Sequence, residues 1–212
     1  MSKPYKLHYL KNQVPVLMVP SLGATTTATV AFLVKVGSKY ENKDNSGISH
    51  FLEHLAFDRT SKFKQPLSLV SAFESLGARY NAMTSQEYTA YFATAKKDNL
   101  SAIIDILGEM YLRPLCLNED INQERGVIVE EIKMHNDSPQ SHVFDSLLAL
   151  MYKDQPAGFD VAGRIETVKG LSRAQLKSWH RRHYVAEKTL VIVSGNFSEK
   201  EIIKEIRKYF GN

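Results

Sequence analysis

The order of strand-like and helix-like patterns is the feature that most constrains how this 212-residue chain can fold. Residues 6–10 and 14–19 flank a turn signal, and residues 25–36 form a long run dense in Thr and Val, which is typical of strands. From residue 46 onward apolar residues recur at helical spacing, and strand-like segments interrupt this pattern in two places. Strands followed by helices, with one more strand near the C-terminus, predict an α+β domain in which helices pack on a mostly antiparallel sheet.

Local signals place the individual elements. The predicted strands cover residues 6–10, 14–19, 25–36, 79–83, 87–95 and 189–193, and we expect the first three to form an antiparallel meander. The first helix is expected to follow Ser46, which is a plausible N-cap. Later helices are predicted at residues 66–76, 97–112, 118–135, 142–152, 172–183 and 198–210. Because no repeat or flexible linker divides the sequence, we expect a single domain over residues 1–212.

Charge and cysteine content exclude several classes of protein. Lys and Arg number 27 against 23 Asp and Glu, a net charge of +4, and no run of Lys or Arg exceeds two residues. Binding to nucleic acid is therefore the lowest-ranked function, because it would require a basic stripe. Cys116 is the single cysteine, so an intrachain disulfide or a cysteine-based metal cluster is impossible. Any metal site must use His and carboxylate ligands.

The sequence contains no apolar segment of the kind that directs a chain to or through a membrane. The first eight residues lack the apolar stretch of a secretory signal, and no window approaches the ~20 apolar residues of a spanning helix. We therefore expect a cytoplasmic protein with no membrane partner.

The first chemical motif lies on the first predicted helix. His50 and His54 are four residues apart, so their side chains lie about 40° apart around a helix and can reach one ion. Glu53 lies on the same side and could act on a water molecule at such an ion. Pairs of this kind also recur by chance on helix surfaces, so the pentapeptide by itself leaves a metal site and an ordinary helix face equally open.

Three longer segments decide between these alternatives. They are GISHFLEHLAF at residues 47–57, YNAMTSQEYT at 80–89 and ERGVIVEEI at 124–132, with Gly37-Ser38 upstream and Val193-Ser194-Gly195-Asn196 downstream. In this order they resemble the pitrilysin-type, or inverzincin, metallopeptidases, a family that includes insulin-degrading enzyme, the mitochondrial processing peptidase with its beta-type subunits, and bacterial relatives. The likeness extends over nearly the whole chain, and it implies the fold of the zinc-bearing first domain of that family.

The resemblance implies a role for each residue of the motif. His50 and His54 would ligate one zinc ion per chain, and Glu53 would be the catalytic general base. Glu131 would be the third ligand, since 76 residues separate it from His54, as in the family. Glu130 is the chief rival for this role, and we favour a solvated helix face for it.

Three further residues receive supporting roles from the same resemblance. Glu124 precedes Glu131 by seven residues and would lie within about 20° of the same helix face, where it would support a ligand histidine. Asn81 and Ala82 lie on a strand whose edge would pair with the backbone of a peptide substrate. Without the resemblance, an ordinary strand end would be the preferred interpretation of these two residues.

The implied function is that of a zinc-dependent endopeptidase domain that hydrolyses unfolded peptides. Members of the family commonly contain further domains that complete the substrate site, so we expect a complementary domain or subunit, in a homo-oligomer or a hetero-oligomer. The alternative is a non-catalytic assembly or binding subunit that keeps the fold. The remaining histidines are expected at the surface: those of the 180–183 run at a helix C-terminus, and His8, His135 and His142 without ligand spacing.

Overall fold

A six-stranded sheet forms the centre of the protein. The computed structural model describes residues 5–21, 23 and 25–211, so the first four residues, on which the expectation about the N-terminus partly rests, lie outside it. The strands are β1 (Lys6–Tyr9), β2 (Pro15–Pro20), β3 (Thr27–Val34), β4 (Arg79–Thr84), β5 (Thr89–Lys96) and β6 (Thr189–Gly195). Their order across the sheet is β1-β2-β6-β3-β5-β4. In the described part of the chain four of the five strand pairs are antiparallel, which confirms the predicted architecture.

The helices follow the predicted pattern with one addition. They are α1 (Ile48–Leu55), α2 (Ser68–Ser75), α3 (Leu100–Leu112), α4 (Asn118–Asn136), α5 (Pro139–Tyr152), α6 (Ile165–Gly170), α7 (Arg173–His183) and α8 (Glu199–Phe210). The sequence did not predict α6, because its six residues are too few to establish a helical period. Within the described residues, each helix is either too short or too polar to cross a bilayer.

The core lies on one face of the sheet. Val30, Phe32, Val191 and Val193 alternate along β3 and β6 and are fully buried, whereas the residues between them are only partly buried. Helix α3 packs across β3 and β5 and contributes apolar residues that are also fully buried. The period of two in the strands therefore directs one set of side chains toward the helices.

The expected opening meander is wrong for its third strand. β1 and β2 are antiparallel neighbours, but β6 lies between β2 and β3, parallel to the first and antiparallel to the second. The middle of strand β6 consists of Leu, Val, Ile and Val, a composition expected of a central strand. It has hydrogen-bonded neighbours on both sides. Local patterns do not specify which strand pairs with which, so this insertion was not visible in the sequence.

Candidate metal centre and active site

Helix α1 begins at a buried carboxylate that the sequence analysis did not identify. Glu41 is 3% exposed, and its two carboxylate oxygens accept hydrogen bonds from the backbone N–H groups of Gly47 (2.7 Å) and Ser49 (2.9 Å). The prediction of Ser46 as the N-cap is wrong, because Gly47 occupies that position with φ of 91° and without a side-chain cap. Glu41 satisfies N–H groups that a helix N-terminus otherwise leaves unpaired.

A close backbone contact places a second segment beside the start of α1. A Cβ atom on Gly47 would lie 2.5 Å from the carbonyl oxygen of Ala162, and one on Gly163 would collide with the backbone of Ser46. Both glycines also have positive φ, which favours glycine independently of the space. The two glycines thus allow the loop at residues 160–163 to pack directly on the helix that carries the histidine motif.

The rest of α1 separates a buried face from a polar face. Phe51, Leu52 and Leu55 are at most 1% exposed and pack in the core. The rings of His50 and His54 lie on the other side of the helix, with centroids 4.6 Å apart. The apolar spacing therefore fixes which way the two histidines point.

Helix α4 brings a third ligand group to the two histidines. Glu131 Oε2 lies 3.7 Å from Nε2 of His50 and 3.4 Å from Nε2 of His54. One donor atom from each of the three residues lies within 4.8 Å of the other two. Two imidazoles and one carboxylate form a ligand set found in zinc hydrolases, where the fourth position stays open, so the donor chemistry fits a zinc ion.

Glu130 occupies a different environment from its neighbour. Its side chain is 72% exposed and forms an ion pair with Lys133, with 2.7 Å between Oε1 and Nζ. It therefore lies on the solvated face of α4, as the sequence analysis favoured.

Glu124 lies against His54, where the sequence analysis expected a supporting carboxylate. Its Oε2 is 3.0 Å from Nδ1 of His54, and its side chain is 13% exposed. A ligand histidine commonly donates its second ring N–H to a carboxylate in this way, which fixes the ring orientation.

Burial and neighbouring charges give the two histidines opposite pKa shifts. Burial lowers the pKa of His50 to about 4, with a smaller contribution from His54. Burial also lowers the pKa of His54, but the hydrogen bond that its ring donates to Glu124 and the charges of Glu131, Glu124 and Glu53 outweigh it, so that pKa is raised. At neutral pH His50 is therefore an uncharged imidazole, the form in which histidine binds metals.

Glu53 is held beside this group by strand β4. The Thr84 hydroxyl donates a hydrogen bond of 2.5 Å to Glu53 Oε2. Burial raises the pKa of the Glu53 carboxyl, while the Thr84 hydrogen bond and the charge of His54 oppose this shift only in part. The sequence analysis did not assign a role to Thr84, because nothing local indicated that β4 passes next to α1.

Strand β4 forms one edge of the sheet. It pairs with β5 on one side, and no other strand in the described residues pairs with its second side. Asn81 is exposed, Ala82 is buried, and the Asn81 side-chain oxygen accepts a hydrogen bond of 2.9 Å from the backbone N–H of Ala82. The two residues predicted to contact substrate therefore lie on an open strand edge, a place where an extended peptide can add.

These groups line a cleft of about 280 Å³. His50, Glu53 and Glu131 form one side, Met83 and Thr84 of the edge strand form another, and residues 160–162 close the third. The cleft thus contains a candidate metal site, a carboxylate with a raised pKa and a strand edge, which together suit hydrolysis of an extended chain.

Comparison with known proteins agrees with this geometry. Residues 17–164 match the model of the insulinase family, peptidase family M16. The chain belongs to peptidase family M16. Residues 170–212 match a second family model, described as the peptidase M16 inactive domain. These residues supply β6, which lies inside the same sheet as β2 and β3, so the M16 chain forms one continuous sheet across both matches.

Relatives of this M16 chain are zinc proteases in several organisms. It is 36% identical over 191 residues to an uncharacterised zinc protease of Mycobacterium leprae, covering 90% of this chain and 43% of that protein. It is 34% identical to the mitochondrial-processing peptidase subunit beta of Caenorhabditis elegans, and the match covers 88% of this chain and 40% of that protein. The crystal structure of a protease from Helicobacter pylori superposes with a TM-score of 0.92 at 26% identity, and the match covers 98% of this chain and 50% of that protease. The chain spans about half the length of these proteins or less.

The comparisons confirm the resemblance drawn from the motifs and the expected fold. The family is one of zinc metallopeptidases, and the group formed by His50, His54 and Glu131 is present in this M16 chain.

Two expectations about the other histidines are wrong. His183 is 7% exposed, and its ring contacts that of Trp179 at a tilt of 41°. Its Nδ1 lies 2.7 Å from Nζ of Lys188, and burial lowers its pKa to about 4. The Nε2–H of His180 donates a hydrogen bond of 2.8 Å to the backbone carbonyl of Tyr111. Both rings turn into the protein, because the helix end that the sequence placed in solvent packs against the core.

Proposed function

We propose that this chain is the zinc-bearing part of an M16 endopeptidase that hydrolyses unfolded peptides. The observation that supports this most directly is the convergence of His50, His54 and Glu131 beside Glu53 and an open strand edge. The family relation supports the same chemistry.

His50, His54 and Glu131 would hold the metal through two ring nitrogens and one carboxylate oxygen. A zinc ion bound there would act as a Lewis acid toward the scissile carbonyl and lower the pKa of water. Glu124 would keep the His54 ring in the orientation that points Nε2 at the ion, through the 3.0 Å contact at Nδ1.

Glu53 would serve as the general base and then as the general acid. Its carboxylate would take a proton from the attacking water and pass it to the leaving amine. The raised pKa of Glu53 makes its carboxylate a stronger base than an exposed one, and the Thr84 hydroxyl holds one of its oxygens in place. The second oxygen remains available for the proton.

The edge of β4 would align the substrate in the cleft. A peptide added as a further strand would form main-chain hydrogen bonds beside Asn81 and Ala82, which gives affinity without requiring a particular side chain. The Asn81 side chain would have to release the Ala82 N–H before a substrate carbonyl could accept from it. Recognition through the main chain fits a protease that accepts varied unfolded sequences.

A complementary domain or subunit of the same family is part of the proposal. The relatives are about twice as long as this chain, and one of them is named as a subunit. Helix α5 also exposes large apolar side chains on its surface, including Val143, Phe144, Leu147 and Leu150. An exposed apolar patch of this kind is typical of an interaction surface.

Three variants and two measurements test the proposal. Zinc content should fall in Glu131→Gln and stay unchanged in the neighbouring control Glu130→Gln, because only the first side chain reaches the histidines. Glu53→Gln should keep its zinc and its fold but lose peptide hydrolysis by about 10²-fold or more, since an amide cannot accept the proton.

The measurements are elemental analysis and hydrolysis of an unstructured peptide, made in the full polypeptide or assembly that carries this sequence. An equal zinc content in Glu130→Gln and Glu131→Gln would contradict the assignment of Glu131 as a ligand. Zinc binding without any hydrolysis in wild type would instead support the alternative of a non-catalytic assembly subunit.

A further inference from the structure

A second cluster of metal-ligating side chains lies next to the first. His135 on α4, Asp145 on α5 and Asp160 in the loop before α6 each place one donor atom within 4.8 Å of the other two. His135 Nδ1 and Asp145 Oδ2 are 3.2 Å apart. His135 follows Glu131 by one helical turn, so both residues face the same cleft.

Asp160 is the most constrained member of this cluster. Its Oδ1 accepts a hydrogen bond of 2.9 Å from the Ala162 N–H, and its carbonyl accepts one of 3.0 Å from the Gly163 N–H. Gly163 in turn packs against the backbone at Ser46, which anchors the loop to the start of α1. The position of Asp160 is therefore set by the backbone, independently of whether an ion is present.

The charges in the cluster favour a cation. Burial raises the pKa of Asp160, and the charges of Asp145 and Glu131 add to this shift, while the hydrogen bond from the Ala162 N–H and the charge of His135 oppose it. The donor atoms of the two aspartates lie within 4.8 Å of each other, so the carboxylates repel when both are ionised. A divalent cation would relieve this repulsion.

We propose that His135, Asp145 and Asp160 form a second zinc site, separate from the one at His50, His54 and Glu131. One imidazole and two carboxylates are ligands that zinc accepts, whereas magnesium prefers oxygen ligands in an octahedral arrangement. Tetrahedral ligands about 2.1 Å from zinc are about 3.4 Å apart. His135 Nδ1 and Asp145 Oδ2 are already 3.2 Å apart, and the donor atoms of all three residues lie within 4.8 Å of one another. Rotation of the exposed His135 and the partly buried Asp145 side chains can close the remaining distance to Asp160.

This site would connect α5 to the rest of the molecule. Within α5, all of whose residues the structure describes, no side chain is fully buried, so few contacts hold the helix in place. An ion shared by α4, α5 and the loop at 160–163 would add a link between three segments that otherwise meet through surface contacts. Zinc binding at this site should therefore slow amide hydrogen exchange in α5.

The first test counts zinc ions by titration of the chelator-treated full polypeptide that carries this sequence. Wild type and the control Asp137→Asn should each bind one more zinc per chain at saturation than Asp145→Asn. His135→Gln should show the same loss of one, whereas Glu131→Gln should lose the first zinc and keep this one. Asp137 is a suitable control because it is exposed at the end of α4 and outside the cluster.

Hydrogen exchange provides a second, independent measurement. Zinc should slow exchange across residues 139–152 in wild type and in Asp137→Asn, and it should have no such effect in Asp145→Asn. The proposal is overturned if Asp145→Asn and His135→Gln bind as many zinc ions as wild type. It is also overturned if zinc protects α5 equally in Asp145→Asn and in the control.

Discussion

At the scale of single residues, position on a helix face decides which carboxylate can act in the site. Glu124 and Glu131 are seven residues apart on α4 and both face α1, while Glu130 points to solvent. Among the residues that the structure describes, His54 Nδ1 is the hydrogen-bond partner of the Glu124 carboxylate, which ties the position of this carboxylate to that ring.

The role of Glu124 can be tested through zinc affinity. Glu124→Gln should weaken zinc binding by about 10-fold to 100-fold, because the His54 ring loses a charged acceptor for its second N–H. In the metal-free protein the pKa of His54 should fall, since the hydrogen bond to Glu124 and the charge of Glu124 both raise it in the wild type. Competition with a chelating indicator and NMR titration measure the two effects. Equal zinc affinity in Glu124→Gln and the control Glu130→Gln would contradict this role.

His183 predicts a dependence of stability on pH. Burial, and then the charges of Lys188 and Arg182, lower its pKa to about 4, below the ordinary value near 6.5 of the unfolded chain. A lowered folded-state pKa contributes stability that is fully present above pH 6.5 and is lost as the pH falls toward 4. Between pH 7 and pH 4.5 this loss amounts to about 2 kcal/mol.

Urea unfolding at the two pH values, in chelator, measures this contribution. The loss of unfolding free energy on acidification should be smaller in His183→Gln than in wild type. His142→Gln, at an exposed position on α5, should behave as wild type. If the unfolding free energy of His183→Gln falls as much as that of wild type, protonation of His183 does not destabilise the folded protein.

At the scale of elements, the site depends on where α1 starts and on what packs against it. The buried Glu41 carboxylate holds the first turn, and the loop at 160–163 covers it through two glycines. Thr84 on β4 then meets Glu53 one turn further along. The Glu41 side chain, the loop at 160–163 and strand β4 thus fix the orientation of a helix of eight residues.

Removal of the Glu41 carboxylate should destabilise the protein. Glu41→Ala leaves two buried N–H groups at the start of α1 without their acceptors, which should lower the free energy of unfolding by about 1–3 kcal/mol. Glu41→Gln should lose less, because its amide oxygen can still accept one bond. Urea unfolding measures both, with the exposed Glu74→Ala as a matched control. A Glu41→Ala protein as stable as the control would show that these bonds contribute nothing.

At the scale of the whole molecule, the cleft is open to solvent. It is lined by two helices, a strand edge and one loop, so a bound substrate would remain partly in contact with water. Efficient hydrolysis requires groups that stabilise the developing negative charge and exclude water. We therefore expect such groups from a complementary domain or subunit.

This expectation predicts weak hydrolysis by the 212-residue chain in isolation. Activity should rise when the rest of its polypeptide, or a partner of the same family, is added, because the substrate site is then complete. Sedimentation and steady-state kinetics on the same sample measure assembly and rate together. A strictly monomeric sample of the isolated chain with a kcat near ~10 s⁻¹, the median for enzymes, would show that no partner is needed.

Local sequence patterns determined most of the elements and the chemistry of α1. Strands of period two and helices of period 3.6 were visible because the pattern of burial repeats within a few residues. The orientation of His50 and His54 toward one side followed from the same helical period, and the choice of Glu131 over Glu130 came from the resemblance to a known family. The structure places Glu131 beside both histidines and leaves Glu130 in solvent.

The tertiary structure decided the features that join distant parts of the chain. The insertion of β6 between β2 and β3 and the contact of Thr84 with Glu53 depend on which segments become neighbours. The cluster of His135, Asp145 and Asp160 arises in the same way, from three elements without ligand spacing in the sequence. The physical reason is that periodicity reports which face of an element is buried, whereas strand pairing and loop closure are set by packing over the whole molecule.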